Sequence, residues 1–177
     1  MKRRPRDIGT AAESATVKYL AANGFPHAER RSLRGHLDAG DITGTPSVCW
    51  EVKGGEAAKM ASDLTITGWM AELAAETVNA KADVGVLVVQ RRGVGPSNAG
   101  RWWAYMPAFQ VGALITDGNV MAINIPVRML LADAVTLLRA AGYGEPDLAR
   151  PGCERCAAHL ICPTHDDPRL ARPEQVA

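Results

Sequence analysis

No stretch of this chain approaches the roughly 20 consecutive apolar residues that cross a bilayer, so a membrane-spanning helix is excluded as a reading. The basic opening "MKRRPR" runs into "DIGTAAES" and not into an apolar signal core, and a cytoplasmic protein with no membrane partner is expected. Cysteine is scarce: four in 177 residues, three of them crowded into "CERCAAHLIC" near the C-terminus. That distribution excludes a disulfide scaffold and favours a metal site in a reducing compartment. Internal repeats and low-complexity tracts are also missing, which removes solenoids and linkers from consideration. What is present is 47% hydrophobic residues, enough for one ordinary domain with a real core.

The formal net charge of +1 hides two unequal ends. Residues 1 to 35 carry eight basic side chains against three acidic ones, whereas residues 145 to 177 carry four against six. A basic N-terminal region suits phosphate-backbone contacts, although charge runs are more often simply solvated faces.

Apolar positions recur at helical spacing over residues 7 to 23 (Ile8, Ala12, Ala15, Tyr19, Leu20), with Gly24 as the stop. Three short extended segments follow, at 27 to 33, 39 to 44 and 47 to 53, and read as a strand meander. Ser62 or Asp63 caps a second helix over residues 63 to 81, with Leu64, Trp69, Met70, Leu73, Thr77 and Val78 as its apolar stripe. "VGVLVVQ" is a strand covered on both faces, and "RWWAYM" suggests another after a Gly/Pro loop. Residues 126 to 141 predict an amphipathic helix opening on Pro126. The expected fold is α/β in the order αβββαβ with a mixed central sheet. A core domain over residues 1 to 142 would then precede a Cys/His tail over residues 143 to 177.

Residues two apart on a strand share a face, so in "VCWEVK" Glu51 and Lys53 project together while Trp50 and Val52 face the core. Asp41 lies one strand earlier, across a tight connection through Gly44 and Pro46, within reach of Glu51. Two close carboxylates repel unless a cation sits between them, and Mg²⁺ accepts such a pair plus a strand carbonyl, here that of Val52. Lys53 beside the ion would orient or deprotonate a water and offset charge on a phosphate. An isolated Glu-x-Lys is ordinarily a pair on a wet strand face. Asp38 competes with Asp41, but a turn role suits it better.

Taken in order, "GTAAESATVKYLAANGF", "GDITG" and "WEVKGG" resemble the PD-(D/E)XK nuclease superfamily, and within it the Holliday junction resolvases of archaeal and phage type. The likeness spans residues 8 to 92. It implies a restriction-endonuclease-like core and Mg²⁺- or Mn²⁺-dependent hydrolysis of DNA phosphodiesters, with Glu13, Asp41, Glu51 and Lys53 as the catalytic set. It also implies branched DNA as substrate and a homodimer. Arg30, Arg31 and Arg34 on one side, and Arg91, Arg92 and Arg101 among Trp102, Trp103 and Tyr105 on the other, are candidates for gripping DNA. One of the two adjacent tryptophans could equally be core, and Trp69 and Met70 read as core.

In the tail, Cys153, Cys156, Cys162 and His165, with His159 in reserve, have the spacing of a tetrahedral Zn²⁺ site. The same cysteine spacing resembles the iron-sulfur motif of RecB-like exonucleases. Those recruit a fourth cysteine from before the core and carry a Gln-x3-Tyr pattern after the lysine, and this chain has neither. A non-catalytic DNA-binding module with a zinc tail is the remaining alternative.

Overall fold

The computed structural model describes residues 5–32, 38–116 and 123–145. Helix α1 (Pro5–Ala21) is followed by the two-residue strands β1 (Glu29–Arg30) and β2 (Ile42–Thr43), and then by β3 (Val48–Lys53). A short helix α2 (Gly55–Lys59), the long helix α3 (Asp63–Asn79) and strand β4 (Val84–Val89) come next. A 3-10 turn (Pro96–Arg101) leads to β5 (Trp103–Pro107), α4 (Ala108–Thr116), β6 (Pro126–Leu130) and α5 (Leu131–Ala140). Among the described residues no helix is long and apolar enough to cross a membrane.

β3 to β6 form a mixed four-stranded sheet in sequence order, with β3 and β4 parallel and the other two pairings antiparallel. The alternation along β3 divides its residues between two cores. Val48, Trp50 and Val52 join a cluster with Leu20 and Phe25 from the α1 side and Leu131 and Leu138 of α5. Cys49 belongs to a second cluster with Leu73 of α3 and Leu87 and Val89 of β4. β4 is buried along its whole length because helices cover both of its faces.

Local chemistry explains most of the boundaries. In α1, Ala12, Thr16 and Leu20 are buried at four-residue intervals, and the Phe25 amide closes the C-terminus on the Leu20 carbonyl at 3.1 Å, with Gly24 left-handed. Phe25 then meets Trp50 edge to face at 6.0 Å. Ser62 Oγ caps α3 by accepting from the Thr65 amide at 3.2 Å.

Several expectations need correction. The meander is incomplete: β1 pairs only with β2, while β3 ladders with β4 and is tied to the β2 segment by the Asp41 amide donating to Trp50 O at 2.8 Å. Residues 126 to 130 form a strand, not the first turns of a helix. "PVRML" alternates Val127 and Met129 against Arg128, a period of two that leaves β6 on the sheet edge, where a leading Pro without an N–H is tolerated. The helix starts only at Leu131, and the Asp133 carboxylate accepts from the Leu130 amide at 3.3 Å. On α3 the buried face runs through Ile66, Leu73, Glu76 and Thr77, so Leu64 and Val78 are exposed. α2 and α4 were not anticipated. The proposed tail, with Cys153, Cys156, His159, Cys162 and His165, lies outside the described residues.

Gly44 joins β2 to the turn before β3 with φ of +76°, and a Cβ there would meet the His27 carbonyl oxygen. Gly44→Ala is therefore expected to cost about 2–3 kcal/mol or more, read as a lowered urea midpoint at unchanged m-value. An unchanged midpoint would mean the β1–β2 hairpin contributes little to stability.

Candidate active site

β3 has β4 on one side only, and the site forms along its other edge. N–H and C=O of one strand residue point the same way, and Trp50 and Val52 both present theirs to the β2 segment. Trp50 O takes the Asp41 amide, and the Val52 amide donates to Asp41 Oδ2 at 2.8 Å. The Asp41 side chain is thereby fixed against the strand, and the Val52 carbonyl faces the same edge. Gly40 allows this approach: its φ is +84°, and a Cβ would lie 2.7 Å from Trp50 O and 2.8 Å from Cys49 Sγ. Its carbonyl accepts from Arg31 Nε at 3.0 Å, which holds the turn from outside.

Glu51 points toward α3. Its Oε1 lies 2.7 Å from Lys53 Nζ, and the same ammonium reaches Glu72 Oε2 at 3.0 Å while lying 5.6 Å from the Trp69 ring centroid. Glu51 is only 8% exposed and Glu76 6%, and Glu76 Oε2 has no hydrogen-bond partner among the described residues. Buried acids therefore outnumber the single amine that serves them, and protonation equilibria respond. Burial first, and the Glu51 charge second, push Asp41 up to about 7 against the pull of the Val52 amide. Burial likewise raises Glu51 to about 7 despite its bond to Lys53. Glu76 also moves up, through burial and then the charge of Asp38. Burial opposes the charge on Lys53, but Glu51 and Glu72 together outweigh it and its pKa rises. In the ion-free site Lys53 is thus held as an ammonium donor at neutral pH.

The structure brings Asp41, Glu51 and Lys53 together on one edge of β3. Glu13 stands nearby and adds its charge to the field at Asp41, yet its Oε2 is held by Arg30 Nε at 2.8 Å. Arg30 and Arg31 consequently make internal bonds, and Arg34 lies outside the described residues. Asp38 is a turn residue, its Oδ1 accepting from the Gly40 amide at 3.4 Å and its carbonyl from Asn79 Nδ2 at 2.7 Å. Cys49 is buried and its thiol is pushed up to about 12, chiefly by burial, which makes it an inert core residue. Trp102 is core and Trp103 lies half-buried on the sheet. Arg91 stacks on Trp103, Arg92 contacts Met60 Sδ, and Arg101 is exposed.

Glu72 and Glu76 escaped the sequence reading. Their signal was present, two acids four apart on a helix facing the sheet, but it becomes legible only once Ile66, Leu73 and Thr77 set the buried face.

The donor set fits a hard divalent cation: two carboxylates in reach of one another, a strand carbonyl on the same edge, and raised proton affinities that mark missing positive charge. Among the described residues no group of three or more His, Cys, Asp or Glu side chains is arranged to hold a metal. Comparison with protein-family models, with curated proteins and with solved structures finds no match.

Proposed function

We propose that this chain is a Mg²⁺-dependent DNA endonuclease of the PD-(D/E)XK type, with branched DNA such as a Holliday junction as its substrate and a restriction-endonuclease-like core. The observation that supports this reading best is the buried Asp41–Glu51 pair with the Lys53 ammonium 2.7 Å from Glu51. A two-fold dimer would present two such edges to the two strands cut at a four-way junction.

Asp41 and Glu51 would hold the ion together with the Val52 carbonyl. When bound, Mg²⁺ or Mn²⁺ supplies Lewis-acid polarisation of a phosphate oxygen and an acidified water. Asp41 is kept in place by the Val52 amide, so the coordinating geometry is set before substrate arrives. Lys53, whose ammonium is held by Glu51 and Glu72, would offset the negative charge that a phosphate gains as water adds to phosphorus and one P–O ester bond breaks. Glu13, paired with Arg30, adds negative charge at the outer side of the site and can orient the attacking water once Arg30 turns to a phosphate.

Synthetic four-way junctions and matched linear duplexes offered to the protein with Mg²⁺, with the cuts mapped, test the proposal. Symmetric nicks near the branch point are expected. Degradation from duplex ends would instead indicate an exonuclease, and absence of cleavage with both Mg²⁺ and Mn²⁺ would leave a binding module.

A further inference from the structure

Sheet register links this site to a second feature of the same face. Lys53, Val89, Trp103 and Leu130 stand opposite one another across the four strands, and Glu51, Leu87, Tyr105 and Arg128 form the adjacent row. Residues facing each other on neighbouring strands share a side of the sheet. Helix α3 packs over β3 and β4 on this side, and beyond it Trp103 and Tyr105 are only half-buried.

Two guanidinium groups converge on Trp103. The Arg91 guanidinium carbon lies 4.2 Å from the indole centroid and that of Arg128 lies 4.7 Å from it. Two like charges are therefore fixed within about 9 Å of each other. Neither makes an ion pair with a described acid. Of the acids on flanking elements, Asp133 accepts from the Leu130 amide and Glu72 pairs with Lys53. An aromatic face offsets part of the repulsion between stacked cations without neutralising them, and a planar guanidinium suits the oxygens of a phosphate.

We propose that Arg91 and Arg128, held on Trp103, form a phosphate-binding station, beyond the α3 cover, for DNA bound at the Lys53 edge. Trp103 lies two strands from Lys53, about 10 Å at ~4.8 Å per strand. The station rests on the DNA-directed reading of the Asp41–Glu51 site and adds to it a second phosphate contact. Arg128 had no place in the sequence-based set of DNA contacts, because its segment reads as helix.

The test measures anisotropy of a labelled four-way junction and a linear duplex, in EDTA, from 50 to 200 mM salt. Wild type is compared with Arg91→Ala, Arg128→Ala, the double variant and the charge-preserving Arg91→Lys/Arg128→Lys pair. The double alanine variant is expected to bind at least about tenfold more weakly, with the slope of log K against log salt reduced by about 1.4–1.8, while the lysine pair keeps the wild-type slope. Lys59→Ala, which removes a lysine already paired with Glu56, is the control and should not move the slope. Equal affinity and slope in wild type and the double alanine variant would overturn the proposal, as would failure of the wild type to bind DNA. Cleavage assays on the same proteins separate the two readings. Station-dependent binding without cleavage keeps the station and removes the nuclease, and cleavage with an unmoved salt slope does the reverse.

Discussion

Glu51→Gln is expected to lower Mg²⁺-dependent cleavage by at least about 10³-fold, a loss of ~4 kcal/mol in transition-state stabilisation. The same substitution should make the ion-free protein more stable at pH 8, by about 1–2 kcal/mol. Both effects have one origin. Glu51 is 8% exposed, shares the ammonium of Lys53 with Glu72 and lies in the field of the Glu76 carboxylate, so its charge is costly until a cation arrives. Glutamine keeps the shape and an acceptor for Lys53 while removing that charge. Cleavage assays and urea unfolding in EDTA read the two effects separately. A variant that loses both activity and stability would show that Glu51 acts mainly as a structural partner of Lys53.

Stability should also fall as pH rises from about 5 to 8 in EDTA, and divalent ions should remove most of that fall. Asp41 and Glu51 both titrate near 7 in the folded chain, above their ordinary values of 3.8 and 4.5. Below about pH 4 both states hold these protons and the pair costs nothing. Between about 4 and 7 the unfolded chain releases protons that the folded chain retains, and stability drops by up to ~1.4 kcal/mol per pH unit for each proton. From about pH 8, a unit past the folded values, the penalty is fully present and constant. Urea midpoints across this range, with EDTA and with millimolar Mg²⁺, measure it, and Asp41→Asn/Glu51→Gln should flatten the EDTA curve. A wild-type curve that rises toward pH 8 would contradict the assigned field.

Much of the site was legible because β3 states its geometry directly: strict alternation puts Trp50 and Val52 in one core and Glu51 and Lys53 on the other face. Gly40 is a point of close approach, and the approaching group is the strand's own backbone at Trp50. Other features were hidden for physical reasons. β1 and β2 are two residues each, too short for a period to register, and hold through long-range pairing and the Asp41–Trp50 bond. "PVRMLLADAV" satisfies a period of two in its first half and 3.6 in its second, and only the ladder with β5 separates strand from helix. That single ambiguity concealed Arg128. The pairing of Glu13 with Arg30, which joins a helix to a strand 17 residues away, is likewise a tertiary fact.

Titration of the protein with Mn²⁺ at pH 7, counting bound ion by electron paramagnetic resonance and released protons by calorimetry in two buffers, tests the cation pair most directly. The account predicts one ion per chain at this edge, displacement of about one proton from the coupled carboxylates, and loss of that ion in both Asp41→Asn and Glu51→Gln. Binding that is absent in the wild type, or that persists unaltered in both variants, would contradict it.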